Sequence, residues 1–236
     1  KRENDESKGL FKGFKEIAEN FVQMPSVMWK LGIVQFFSWF AFFTMWSFAV
    51  PALTEHVYQT PMPIATDPLY EIKNEAYNNS ANLVGSAMGL YGLSSMAFAL
   101  LLTFITAKRN VNRRGIHFIS LASGGMGFIL LFMGNKDFPQ ILNLGFGLIG
   151  ISWGSILSMP YAILSSSVKP EKMGVSMGIF NMFIVIPQIV AALGGIIWVY
   201  KTFLGEELIY TMVLAGICLF LGALSCFLLP NRFEQQ

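Results

Sequence analysis

Fixed charge is scarce in this sequence. Lys, Arg, Asp and Glu make up 13% of its 236 residues, about half the roughly 25% usual in a soluble domain. None of them lies in the interior of six long apolar stretches, 31–53, 82–107, 115–134, 140–163, 173–200 and 207–229. Cysteine is nearly absent. Cys218 and Cys226 sit eight residues apart in the last stretch, about 12 Å along one helix, which is beyond disulfide reach and uninformative about redox compartment. The two histidines, His56 and His117, fall near opposite ends of different stretches. There is no H-E-x-x-H, no Gly-x-Ser-x-Gly, no phosphate-binding loop and no His, Cys and carboxylate cluster at metal-ligand spacing. No catalytic residue, metal or cofactor is therefore expected, and the chain does not read as an enzyme. A net charge of +2 also fails to suggest a nucleic-acid partner. No cleavable leader follows Lys1, and a first residue other than methionine leads us to expect a segment of a longer protein.

Apolar length is what the sequence has instead. Hydrophobic residues reach 54% and aromatic residues 14%, and each stretch is long enough to cross a hydrocarbon core of about 30 Å as a helix. The expected fold is all-α and polytopic, with a lipid bilayer as its surroundings. If the N-terminus is cytoplasmic, only Lys73, Lys136 and Lys201 of the sixteen Lys and Arg residues fall on the far side, while the fourteen acids divide evenly. That bias is the one the positive-inside rule recognises, so both termini are expected in the cytoplasm. Residues 1–29 read as a cytoplasmic linker, 30–230 as one six-helix bundle and 231–236 as a tail.

In the linker, Leu10, Phe11, Phe14, Ile17, Ala18, Phe21 and Val22 recur at helical spacing, opposite Lys12, Lys15, Glu16 and Glu19. The pattern predicts an amphipathic helix along the interface, ended by Pro25. The long connection 54–81 carries Pro61, Pro63 and Pro68, with a short surface helix expected over 70–77. The remaining connections are short and predict sequential helices packed side by side. Gly85 to Tyr91 in the second stretch resembles Gly174 to Phe180 in the fifth. Two readings of this weak repeat stay open. One is an inverted three-plus-three symmetry of the kind transporters use. The other is close packing through Gly-x-x-x-Gly, of which Gly150 and Gly154 supply a further copy.

Uncharged polar groups are spread unevenly along the six stretches. Gln35, Trp39, Phe42 and Trp46 share one helix face, and Gly178, Asn181, Val185 and Gln188 follow nearly the same spacing beside Pro187. Asn82, Trp153 and Tyr161 add to this set from the second and fourth stretches. Polar side chains at membrane depth seek partner helices or a wet cavity. The first, second, fourth and fifth helices are thus expected to line a cavity, and the blander third and sixth to face lipid. A lining of indoles and carboxamides without fixed charge suits a neutral polyhydroxyl ligand, a sugar, because rings stack on apolar sugar faces while amides exchange hydrogen bonds. The candidate contacts are Gln35, Trp39, Trp46, Asn82, Trp153, Tyr161, Asn181 and Gln188.

Three stretches carry a family resemblance. They are Met24-Pro25 with Gln35 to Ala41 and Met45-Trp46; Ala76-Tyr77-Asn78 leading to Asn82 through Gly85; and Ser158 to Ala162 with Lys169 to Val175, Gly178 to Asn181 and Ile186-Pro187-Gln188. They resemble the C-terminal half of a major facilitator superfamily transporter, in particular the bacterial sugar:cation symporters of the sucrose and glycoside-pentoside kind. The resemblance implies a twelve-helix carrier of the bacterial inner membrane whose N-terminal six-helix half lies outside this chain. It also implies a sugar substrate and a coupling cation, proton or sodium. The loop Lys108 to Arg114 shares only its arginines with the superfamily's cytoplasmic gating motif, so positive-inside anchoring is the expected role. No carboxylate lies at membrane depth. Glu55, beside His56, is the nearest candidate for coupling, and the coupling acid is otherwise expected in the other half. Two alternatives remain: a non-transporting six-span scaffold or receptor, and a membrane enzyme completed by ionisable groups upstream.

Overall fold

The computed structural model describes residues 24–168 and 170–230. The amphipathic segment expected at 10–22 and the tail at 231–236 lie outside that range. Among the described residues the chain is helical, with no strand. Six helices are long and apolar enough to cross a membrane. We label them α1 (Ser26–His56), α2 (Tyr70–Lys108), α3 (Arg113–Met133), α4 (Ile141–Ser165), α5 (Met173–Val190) and α6 (Tyr210–Ser225).

Local sequence sets the ends of these helices. Pro25 precedes α1, where its missing N–H costs nothing. Asn112 accepts a hydrogen bond from Gly115 N at 2.9 Å and caps α3. The turn into α4 is closed by Asn135, whose Oδ1 accepts from Asp137 N and Phe138 N at 3.0 and 3.1 Å. The surface helix expected over 70–77 is not separate. It forms the first turns of α2, whose 39 residues span about 58 Å at 1.5 Å per residue, nearly twice the hydrocarbon thickness. The fifth crossing, Met173–Leu204, is irregular in its second half, where π-helical turns at Ala191–Gly195 and Tyr200–Leu204 bracket Ile196–Val199. Gly194 there has φ 97°, a conformation open to glycine at little cost.

Packing does not follow chain order. The principal neighbours are α5 with α1, α1 with α6, α6 with α3, α3 with α4, and α4 with α2, while α1 also touches α2 and α4. Side-by-side packing of consecutive helices is therefore realised for α3 and α4 and only weakly for α1 and α2. Close approach at small residues is the physical reason, because lipid supplies no hydrophobic drive and contact quality decides which helices meet. Gly125 faces the Phe220 ring, Gly127 faces the Gly145 carbonyl, Gly222 faces Ser38, and Gly32 lies under the Phe183 ring.

The six helices differ in how much of their surface this chain covers. In α6, 56% of the most apolar window is buried, against 11% in α2. The glycine-bearing faces of α3 and α6 pack against neighbouring helices, and α2 and α5 are the ones left most uncovered within this chain. Hydroxyls are mostly satisfied within their own helix, as Ser38 on Val34 O and Thr44 on Phe40 O at 2.7 Å each show.

Candidate functional site

Midway along α1 and α4, three indoles meet. Trp39, Trp46 and Trp153 form a mutual edge-to-face set, with ring centroids 6.3 Å apart for Trp39 and Trp46, 5.4 Å for Trp39 and Trp153, and 5.2 Å for Trp46 and Trp153. Phe42 closes one side, 4.8 Å from Trp153 and 5.9 Å from Trp46. The spacing explains the convergence: residues 39, 42 and 46 lie on one face of α1, and that face meets Trp153 of α4. Trp46 keeps 39% of its surface exposed, so the cluster opens on its side.

Beside the rings lies a hydrogen-bonding deficit. Gln35 is 0% exposed, and neither its Oε1 nor its Nε2 has a partner among the described residues. The same is true of Trp39 Nε1. Gln35 sits one turn before Trp39 on the same face. A buried polar atom without a partner costs about 1–3 kcal/mol, so these two side chains carry an unmet hydrogen-bonding demand.

The other sequence-derived candidates are not gathered there. Tyr161 lies two turns beyond Trp153 on α4 and makes an edge-to-face contact with Phe180 of α5 at 5.4 Å. Asn181, next to Phe180, is exposed. Phe183 packs over Gly32 and lies 5.6 Å from Trp29 of α1, and Asn181, two residues earlier, points about 200° around the helix from it. Gln188 donates Nε2 to the Ile184 carbonyl at 3.0 Å, so its amide serves the backbone beside Pro187. Asn82 is exposed on α2. Within this chain, mutual contact of the Trp39, Trp46 and Trp153 rings fills this level. The amides of α2 and α5 lie on faces this chain leaves open.

Those open faces also bear the repeat. A Cβ built on Gly85, Gly89, Gly174 or Gly178 would meet nothing within 4 Å, whereas one on Gly150 would overlap Ser94 Oγ and the Tyr91 carbonyl, and one on Gly154 would lie 3.0 Å from Ser95 O. Close packing therefore accounts for the α4 pair of glycines and not, within this chain, for the repeated pairs of α2 and α5.

Cavities of about 290 and 240 Å³ lie at the two ends of the bundle. The smaller is lined by Glu55, His56, Gln59 and Glu207. His56 is fixed there by Nε2 at 2.9 Å from Phe132 O and by stacking on the Phe132 ring. Glu55 is exposed and nine residues from Trp46, about 13.5 Å along α1, so it stands at the mouth and not at the cluster. Sequence reasoning missed one buried polar pair, His117 of α3 with Nδ1 2.8 Å from Ser155 Oγ of α4. His117 is fully buried, where its position near an apolar boundary had suggested a membrane face.

A family model of the Major Facilitator Superfamily matches residues 1–192. With six membrane-capable helices, glycine-mediated packing and a mid-depth cluster of uncharged side chains, the chain belongs to the Major Facilitator Superfamily of membrane transporters.

Proposed function

We propose that this chain is one six-helix half of a twelve-helix carrier that moves a sugar, a mono- or disaccharide or glycoside, across the bacterial inner membrane by alternating access. Transport is coupled to a proton or a sodium ion. The observation that carries the reading is the unpartnered amide of Gln35 and indole N–H of Trp39 beside the rings of Trp46 and Trp153. Hydroxyls satisfy both a carboxamide and an indole donor, and apolar sugar faces stack on indoles, so one solute class answers both features. No fixed charge stands in this cluster, which argues for a neutral solute.

In this reading the uncovered faces of α2 and α5, with Asn82, Asn181 and the open glycines, look across a central pathway at the N-terminal half. Rocking of the two halves exposes the cluster first to one side of the membrane and then to the other. Tyr161 lies toward the cytoplasmic end of that pathway. The bias of basic residues supports a cytoplasmic position for both described ends of the bundle.

The test is uptake by vesicles containing the complete carrier, using labelled mono- and disaccharides with and without pH and sodium gradients. Gradient-dependent accumulation of at least one sugar is expected. Asn181→Leu should lower it about two- to tenfold, the worth of one neutral hydrogen bond, without loss of protein from the membrane. No accumulation of any sugar, or uptake by Asn181→Leu equal to the unaltered carrier, overturns the substrate class or the site respectively.

A further inference from the structure

The larger end cavity, about 290 Å³, sits where the α2–α3 turn meets the end of α4 and Pro230, and it is lined by Arg109, Arg113 and Arg114. No acidic residue lines it, and among the described residues no carboxylate pairs with any of the three, Lys73 with Asp67 being the ion pair found. Two of the guanidinium groups are held by neutral acceptors. Arg113 Nη1 donates to the Ala162 carbonyl at 2.7 Å and Arg114 Nη1 to the Leu229 carbonyl at 3.0 Å, while the Arg114 Cζ lies 5.9 Å over the Phe227 ring. These contacts orient the planes without supplying a counter-charge from the described residues. Arg109 makes no side-chain hydrogen bond among the described residues, so its whole fork of donors is available.

Plain positive-inside anchoring needs charge near the interface and no enclosure. Here the arginines converge on a hollow, at the positive end of the 21-residue α3. Asn112, also in the lining, has its oxygen committed to Gly115 N. A hollow with three guanidinium groups and no lining carboxylate matches a tetrahedral oxyanion, which accepts bidentate arginine bonds on several oxygens. Val111, Ile163 and Pro230 add an apolar wall on which a glycerol backbone can rest.

We propose that this cavity binds a phosphate group, presented by an anionic phospholipid headgroup or by a free phosphate in solution. The site is separate from the tryptophan cluster and does not depend on the sugar assignment.

The experiment uses the complete carrier in nanodiscs. In one arm the nanodiscs contain phosphatidylcholine with phosphatidylglycerol, and phosphatidylglycerol retained after detergent extraction is counted by native mass spectrometry. In the other arm the lipid is phosphatidylcholine alone and inorganic phosphate is titrated, followed by phosphorus NMR line broadening. Arg109→Gln breaks no internal bond and serves as the fold-safe variant, with Arg109→Gln/Arg113→Gln as the stronger one. Lys136→Gln/Lys201→Gln, at the other end of the bundle, is the charge-matched control. Retention in the first arm that falls about fivefold per arginine removed, and is unchanged in the control, supports the site with a lipid as its source. Phosphate binding in the second arm with the same dependence supports it with a soluble source. Equal behaviour of the unaltered carrier and Arg109→Gln/Arg113→Gln in both arms overturns the proposal.

Discussion

A methyl group on Gly150 would overlap the carbonyl oxygen of Tyr91, so α4 and α2 meet backbone to backbone at this level. Gly150→Leu should therefore destabilise the bundle by about 1–3 kcal/mol or more. Gly85→Ala, whose Cβ enters open space, should stay within about 0.5 kcal/mol. Thermal unfolding of the purified complete carrier in detergent compares the two, and equal midpoints would contradict the close approach.

The tryptophan cluster offers a substitution that separates packing from hydrogen bonding. Trp39→Phe keeps a ring in contact with Trp153 and removes the unpartnered N–H. The melting temperature should hold or rise, because an uncompensated buried donor is lost, while sugar uptake by the complete carrier should fall about two- to tenfold. Trp153→Ala, which removes the ring shared by Trp39, Trp46 and Phe42, should lower stability by about 3–5 kcal/mol. Parallel uptake and melting measurements tell the two variants apart.

Glu55 stands at the bundle mouth, about 13.5 Å along α1 from Trp46. Glu55→Gln is expected to leave cation coupling intact, with uptake responding to a pH or sodium gradient as before. Loss of that response would make Glu55 the coupling acid and overturn its placement outside the pathway.

Ahead of α2, Asp67 bonds Lys73 and accepts from Leu69 N at 2.9 Å. The Lys73 hydrogen bond first, then the Leu69 N–H, hold the Asp67 carboxyl below the ordinary carboxylate range. A lowered folded-state value means this turn's contribution is fully present above the ordinary carboxylate pKa and is lost as acidification passes through the lower folded value. In Lys73→Gln the Asp67 titration, followed by carbon NMR, should move up toward the ordinary range. An unmoved titration would remove Lys73 as the cause.

The six crossings were legible because charge avoidance and apolar length are properties of the chain itself. The alignment of Trp39, Phe42 and Trp46 was legible too, since residues on one helix keep their angular relation wherever the helix goes. Their meeting with Trp153 depends on which helices touch, and that is decided by local fits such as Gly127 against the Gly145 carbonyl, which no periodicity announces. In α3 and α6 the glycines carry the packing information. Without a hydrophobic drive between helices, Gly124, Gly125 and Gly216 mark interior surfaces and do not mark lipid-facing ones. The prolines at 61, 63 and 68 announced a break, and the restart of helix at Tyr70 ran on unbroken into the apolar stretch because nothing between Tyr70 and Lys108 interrupts its hydrogen-bond ladder.

That continuity gives α2 the character of a pointer. Its first turns and the turns of its apolar stretch belong to one unbroken helix, so a tilt of the base is carried to the Tyr70 tip. A spectroscopic tag on exposed Glu71 would read the swing of the whole rod from outside the bilayer, without disturbing the side chains at its foot.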